Sequence, residues 1–462
     1  MKKKFEIDPL HGAIFKNMLL FALPIMGAWL LQILFSAADT AVIGNFGNEG
    51  AIAAIGVSAS VLHMLVGGLS SLSAGITVAA GKLIGKGEDK KASELVNAMP
   101  LTGFILGAVL SAAAILLSDV ILGWVSCPKE LMADAGLYFR IYFLGVPFMV
   151  TAGFLTAFIH AKGNSLIPFV FSITASAVNI ALNLVFVIVF DWNIAGVAAA
   201  TVISQVLLAG SLILWLSRQA EGSRLEFKKL RAFRGLREVF SIGIPSSLEG
   251  IILNISNVVI SAAVNRFDAG VIGGNTVAAQ IESIMTIAFV GFANASVVFI
   301  SQNHGKGNYP RVRKVFSTTV LTVFIGAELI GTAIYLASPI LTRIFTSDPV
   351  YIGAARTRML YMCLFFGFCG LMNVVSGCVR GLGEAKLPLV ISIICSVAFR
   401  ITWIYTYAAS KGTIEAIYVS YPLCWALCAG LDVLAFVFVL KRRERELSER
   451  KETEEPKEEQ RT

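Results

Sequence analysis

Apolar runs of about 20 residues follow one another from Met18 to Leu440, and each is long enough to cross the hydrocarbon core of a bilayer. No stretch between them is long enough to form a soluble domain, so a large extramembrane enzyme has nowhere to fold. Composition agrees. Charged residues make up 15% of the chain, against roughly 25% in soluble domains, and mean hydropathy is +0.75. A backbone in lipid must satisfy its own hydrogen bonds, which leaves helices or closed barrels, and runs of this length mean helices.

Twelve spans are predicted. The first six are about 17–44, 51–83, 97–118, 137–161, 166–190 and 194–217. The second six are about 239–265, 271–301, 315–337, 357–380, 387–409 and 413–440. The run from Met18 is too long, and too far from Met1-Lys-Lys-Lys, for a cleaved signal, so it is read as the first span. With both termini cytoplasmic, 30 of the 38 Lys and Arg fall in cytoplasmic segments, as the positive-inside rule requires. That rule also accounts for the basic linker, so no nucleic-acid partner is needed. The expected organisation is an N-terminal six-helix bundle at 1–217, a basic cytoplasmic linker at 218–238, a C-terminal six-helix bundle at 239–440 and a charged cytoplasmic tail at 441–462. The tail lacks apolar periodicity and reads as disordered or a frayed helix.

The chain repeats itself at an offset of 220. Gly85-Lys86-Gly87 recurs as Gly305-Lys306-Gly307. Gly163, Pro168, Val170, Ser172, Ile173 and Ser176 recur as Gly383, Pro388, Val390, Ser392, Ile393 and Ser396. Pro24 matches Pro245 with one residue of slip. Six spans per unit is an even number, so the repeats run parallel about an axis along the membrane normal, a plan used by carriers.

Asp39 breaks the repeat. It sits near the end of the first apolar run with no acidic counterpart in the second half. A carboxylate in a spanning helix costs about 3 kcal/mol or more, so its default reading is functional. Asn179 and Asn183 share one face of the fifth span at i, i+4, where the second half has Phe399 and Trp403. With Thr201 they form a polar set confined to the first half.

The Leu23-Pro24 opening, the Ala-Asp39-Thr step, the Gly-Lys-Gly loops and the Gly163-Asn164 and Gly381-Leu-Gly383 turns together resemble the multidrug and toxic compound extrusion (MATE) family over about residues 14–440. The resemblance implies an all-α integral membrane protein of two parallel six-helix repeats, arranged as V-shaped bundles. It implies a secondary antiporter that exports organic cations or amphipathic drugs in exchange for H+ or Na+. The family's cation site then maps onto Asp39, Asn179, Asn183 and Thr201. Many relatives carry a second acid where this chain has Asn183, which weakens a sodium site and tilts the coupling ion towards protons. No cofactor is expected, and a monomer in the cytoplasmic (inner) membrane is.

Glu249 and Glu282, with Gln280 beside the latter, are further candidates, as a substrate or second-bundle proton site or as structural charges paired with Arg400 or a helix end. Glu328 and Asp432 read as structural pairs on peripheral spans. Pro24 reads as a hinge on the helix of Asp39, or as a static kink. His63 reads as hydrogen-bonded structure, and His11, His160 and His304 as solvated. Cys424 and Cys428 lie at i, i+4, and no disulfide framework is present. No metal-ligand spacing, P-loop or Gly-x-Ser-x-Gly motif occurs. A flippase for lipid-linked sugars is the alternative within transport, and an integral-membrane enzyme or scaffold the alternative outside it.

Overall fold

The computed structural model describes residues 7–459, apart from 47, 49, 126, 220–223, 227–229 and 231–235. Its described residues are helical, without strands. In chain order the helices are α1 (Ile14–Phe46), α2 (Ala51–Lys86), α3 (Asp89–Leu116), α4 (Ser118–Trp124), α5 (Met132–Ala161), α6 (Leu166–Leu184), α7 (Asn193–Ser217), α8 (Arg237–Val264), α9 (Ala269–Met285), α10 (Ile287–Gly305), α11 (Tyr309–Phe345), α12 (Pro349–Cys363), α13 (Phe366–Gly381), α14 (Lys386–Ser392), α15 (Arg400–Trp403), α16 (Ala409–Lys411), α17 (Ile414–Tyr418) and α18 (Ser420–Glu459). π-helical turns follow α6 at Val185–Val189, and α14 to α16 are joined by two more at Ile393–Phe399 and Ile404–Ala408. Among the described residues nine helical segments are long and apolar enough to cross a membrane, and two bent pairs bring the number to eleven. The long helix α2 adds a shorter apolar segment, Ser71–Gly85.

The bent pairs differ from the sequence expectation of continuous eighth and tenth spans. The helix α9–α10 bends by 41° and α12–α13 by 47°. Side chains explain both. Ser283 and Thr286 each donate to a carbonyl three residues back, at 2.7 Å, which loosens the helical ladder at the first break. At the second, the freed Gly367 N–H donates to Glu328 Oε2 at 2.8 Å. Glu328 therefore caps α13, as an anion at a helix N-terminus should.

The chain forms two compact units. Of the described residues unit 1 holds Ile7 and Leu23–Ser247, and unit 2 holds Asp8–Ala22 with the described part of Leu248–Thr462. Each half of the chain thus gives its opening segment to the other unit, and the two changeovers fall beside Pro24 and Pro245. In unit 1, the start of α8 closes on α2. Lys82 Nζ meets Glu238 Oε1 at 2.6 Å, and Gly75 lies so close to α8 that a Cβ there would stand 2.1 Å from the Val239 carbonyl. In unit 2, Phe21 packs edge-on against Phe299, and Asn303 and Arg311 donate to the Pro9 carbonyl at 3.0 and 3.1 Å.

Helix α5 is the centre of unit 1, packed against α2, α3 and α7. Phe139, Phe143, Phe154 and Phe158 are fully buried along it. Pro147 cannot donate to the Phe143 carbonyl, and Ser111 of α3 donates there instead at 2.6 Å. In unit 2, α13 holds the corresponding place among α10, α11 and α18. The repeat is visible in the turns. Gly87 and Gly307 have φ of 72° and 73°, and Gly163 and Gly383 have 84° and 82°, a left-handed backbone that favours glycine.

A buried ion pair joins α9 to α12. Arg358 Nε and Nη2 donate to the two oxygens of Glu282 at 2.9 and 2.7 Å, and Nη1 donates to Asn275 Oδ1 at 2.5 Å. Its guanidinium lies over the rings of Tyr418 and Tyr421. The described part of the tail is helical as far as Glu459, the helical alternative of the two expected. Arg443–Glu446 and Arg445–Glu449 pair along α18, and Arg313–Glu444 at 2.6 Å ties it to α11.

Two stability predictions follow from these contacts. Gly75→Ala forces α2 and α8 apart and should cost about 1–3 kcal/mol, lowering the melting temperature of the protein in detergent, while Gly56→Ala, into open space, should leave it unchanged. Arg358→Leu strands the buried Glu282 charge and should cost on the order of 3–5 kcal/mol, whereas Glu282→Leu with Arg358→Leu should recover much of that loss in the same melts.

Candidate functional site

In unit 1 three helices bring Asp39, Asn179, Asn183 and Thr201 together. Asp39 lies on α1, Asn179 and Asn183 one turn apart on α6, and Thr201 on α7, which α6 packs against. Asn183 is fully buried, Asn179 nearly so, and Asp39 half-buried. The Asn183 amide Nδ2 donates to Asp39 Oδ1. Asn179 has two orientations open to it. In one, its amide donates to Thr201 Oγ1 at 3.5 Å and its oxygen accepts from Asn183 Nδ2 at 3.4 Å. In the other, which satisfies both ends with shorter bonds, it donates to Asp39 Oδ1 at 3.1 Å and accepts from the Thr201 N–H at 3.2 Å. The second is the better arrangement beside a carboxylate, because both amides then donate to it. Thr201 Oγ1 donates to the Val197 carbonyl at 3.1 Å.

One polar atom of this set has no partner. Among the described residues, Asn183 Oδ1 is buried without a hydrogen bond. The oxygens available to a cation are therefore the Asp39 carboxylate, Asn183 Oδ1 and Thr201 Oγ1, with a single formal negative charge among them. A proton on Asp39 would offer Asn183 Oδ1 the donor it lacks. The π-helical turn begins two residues after Asn183, and such turns frequently accompany functional sites.

Tyr138 and Tyr142 on α5 complete the surroundings. Their rings are 6.0 Å apart, and both lie within electrostatic reach of Asp39. Sequence reasoning did not single them out. The available signal was their i, i+4 spacing on a span at whose repeat position the second half has Arg358 for Tyr138.

The second-half candidates fall in two separate groups of unit 2. Glu249 is buried; its Oε1 accepts from Ser376 at 2.8 Å and from Ser392 at 3.4 Å, and its Oε2 meets Arg380 Nη1 at 3.2 Å. Glu282 is held by Arg358. Neither acid is paired with Arg400, contrary to the expectation: Arg400 meets α8 at Ser256 and Asn257, about two turns beyond Glu249, and Glu249 and Glu282 meet Arg380 and Arg358. Arg400 instead donates to Ser256 Oγ at 3.1 Å and Asn257 Oδ1 at 3.2 Å and lies 4.7 Å from the centre of the Tyr421 ring. Gln280 is exposed on α9, apart from the Glu282 group. Asp432 is 2% exposed and makes no ion pair among the described residues, so its reading as a peripheral structural pair is corrected. His160 and His304 are half-buried rather than solvated, His11 is exposed, and the His63 side chain lies outside the described residues. Pro24 is inside α1, next to the changeover between units.

A family model described as MatE matches residues 24–185 and again 245–406, one copy per repeat. The chain is 26% identical to the probable multidrug resistance protein YpnP of Bacillus subtilis, over 88% of this chain and 91% of that one. It is 23% identical to the multidrug export protein MepA of Staphylococcus aureus, over 95% and 96%. Its fold matches the bent form of the MATE transporter VcmN of Vibrio cholerae with a TM-score of 0.86 at 19% identity, over 93% of this chain and 98% of that one. With each of its repeats matched by the same model, the chain belongs to the MATE family of multidrug efflux transporters.

Proposed function

We propose that this protein is a secondary antiporter of the cytoplasmic membrane that exports cationic or amphipathic small molecules by alternating access, with both termini cytoplasmic, and that Asp39 is its coupling carboxylate. The observation that carries the reading is the Asp39–Asn183 hydrogen bond beside a buried Asn183 oxygen without a partner. Asn179 and Thr201 support the same group. The Lys and Arg distribution supports the orientation.

The energetics favour a group that changes state. An ionised carboxylate in a spanning helix costs about 3 kcal/mol or more. A hydrogen bond to a charged group returns about 1.5–3 kcal/mol. The ionised form, held by one or two amides, is therefore close in energy to the protonated form. Protonation adds an O–H that Asn183 Oδ1 can accept, giving a two-bond acid–amide pair. Sodium would find three oxygen-bearing groups and one charge, a poorer set than hard cations usually take. Protons are thus the preferred coupling ion.

Transport follows if the two forms of Asp39 favour different shapes of α1, since an ion drives a conformational change only through such differential affinity. Pro24 stands 15 residues before Asp39, about 22 Å along the helix. It lacks the backbone donor that would stiffen that turn. The helix bends there as the protonation state of Asp39 changes.

Vesicles loaded under an imposed proton or sodium gradient, with accumulation of a fluorescent organic cation as readout, test the reading. Asp39→Asn should abolish gradient-driven accumulation while leaving expression and melting temperature near parental. Accumulation at the parental rate would remove Asp39 from the coupling role. Asn183→Ala should impair coupling more than Asn179→Ala, since it removes both the donor to Asp39 and the buried oxygen, and Asn183→Asp should raise sodium dependence by adding a second charge to the oxygen set. In the same vesicles Pro24→Ala should bind substrate almost as the parent does but exchange it several-fold more slowly. Equal losses of binding and exchange would mean a packing defect instead.

A further inference from the structure

Two buried charge pairs in unit 2 are closed, Glu249 with Arg380 and Glu282 with Arg358, and two buried charges are left over, Arg400 and Asp432. Asp432 is the more exceptional. Its Oδ1 is buried with no hydrogen-bond partner. Four groups on other elements lie within electrostatic reach of it: Glu249 on α8, Arg380 and Cys378 on α13, and Cys395 in the π-helical segment after α14. On α18 itself, Cys428 precedes it by one turn. Among the described residues the one cation in this group is Arg380, and Arg380 is committed to Glu249.

The left-over Arg400 does not answer Asp432. Arg400 lies over Tyr421, and Tyr421 precedes Asp432 by eleven positions on α18, about 16 Å along the helix axis. That is far beyond ion-pair reach. One arginine therefore faces two carboxyls away from water. Burying an unpaired charge is much costlier than burying the same carboxyl with its proton. With one proton the set of Glu249, Arg380 and Asp432 is neutral.

We propose that Asp432 is a second proton-exchanging carboxyl, lodged in unit 2 beside the Glu249–Arg380 pair: it holds a proton while that pair is closed and gives it up when a cation takes the place of Arg380 at Glu249. The exchange rests on the antiport reading above, and the presence of the proton does not. Electroneutrality balances the step, since one cation enters as one proton leaves. It gives unit 2 its own point of competition between protons and cationic cargo, separate from Asp39.

Infrared difference spectra of the full-length protein in lipid test this, read at the C=O stretch of protonated carboxyls with and without saturating tetraphenylphosphonium. At neutral pH the parental protein should show a band that Asp432→Asn removes, Asp432→Glu shifts and Asp39→Asn retains, and the added cation should bleach it. Asp432→Asn is close to isosteric, and a parental melting temperature shows that the loss is not unfolding. No Asp432-dependent band at any pH at which the protein stays folded would overturn the proposal. So would a band that persists while the cation is bound. Failure of the parental protein to bind tetraphenylphosphonium would count against exchange and against cationic substrates, while the band still decides whether Asp432 carries the proton.

Discussion

Every feature of this molecule answers to the absence of water around its helices. A backbone group or charge that loses its regular partner in lipid must find another within the protein. The described residues show this repeatedly. Ser111 supplies the donor that Pro147 cannot, Glu328 takes up the N–H freed where α12 gives way to α13, and Ser256 donates to the Ser396 carbonyl within a π-helical segment. Charges follow the same rule, and Glu282 is locked by two parallel bonds to Arg358. Against that background the exceptions are few. The partnerless oxygens of Asn183 and Asp432 are among them, and both sit at carboxyl groups or beside them.

The two repeats share a backbone and divide the chemistry. Their turns coincide to within a few degrees of φ, so the fold was duplicated as a frame. The polar residues were not. Unit 1 keeps α2 and α5 continuous and gathers a carboxylate with two amides at α1, α6 and α7. Unit 2 breaks the corresponding helices and spends its charges on closed pairs that hold the broken pieces. A broken helix exposes donors and acceptors that must be capped, and Glu328 does this at the start of α13. Glu249 and Glu282 each face an arginine, whereas Asp39 has neutral amide donors.

The sequence made much of this legible. Run length and composition imply spanning helices, and the 220-residue offset implies the two-fold frame. The shared face of Asn179 and Asn183 was readable from i, i+4 spacing, and the confinement of Asp39, Asn179, Asn183 and Thr201 to the first half from the repeat, while their grouping in one site was implied by the family resemblance. What could not be read depends on how helices rotate against each other. Arg400, Arg380 and Arg358 are equivalent as letters, and only packing decides that Glu249 meets Arg380 and Glu282 meets Arg358. The bends at α9–α10 and α12–α13 contain no proline, so their cause lies in side-chain bonds that spacing alone does not announce. The depth of Asp432 was hidden for the same reason: α18 is apolar on several faces, and its buried face is set by α13 and α14.

The exchange of opening segments gives the two prolines unequal consequences. Both α1 and α8 pass from one compact unit to the other beside a proline, so both contain a point where the helical ladder is already interrupted. In α8 the first ionisable group beyond that point is Glu249, four residues on, and it is closed by Arg380, Ser376 and Ser392. The pair is closed in this structure, and at four residues' distance a change there has little leverage on a bend at Pro245. In α1 the group beyond the point is Asp39, fifteen residues on, held by amides that suit either the ionised or the neutral form. A long lever with an adaptable group at its end turns an ion's arrival into a large displacement, and a short one turns it into a small one. On the reading proposed here, that difference, more than the proline itself, assigns the moving role to α1 and leaves α8 as its static counterpart.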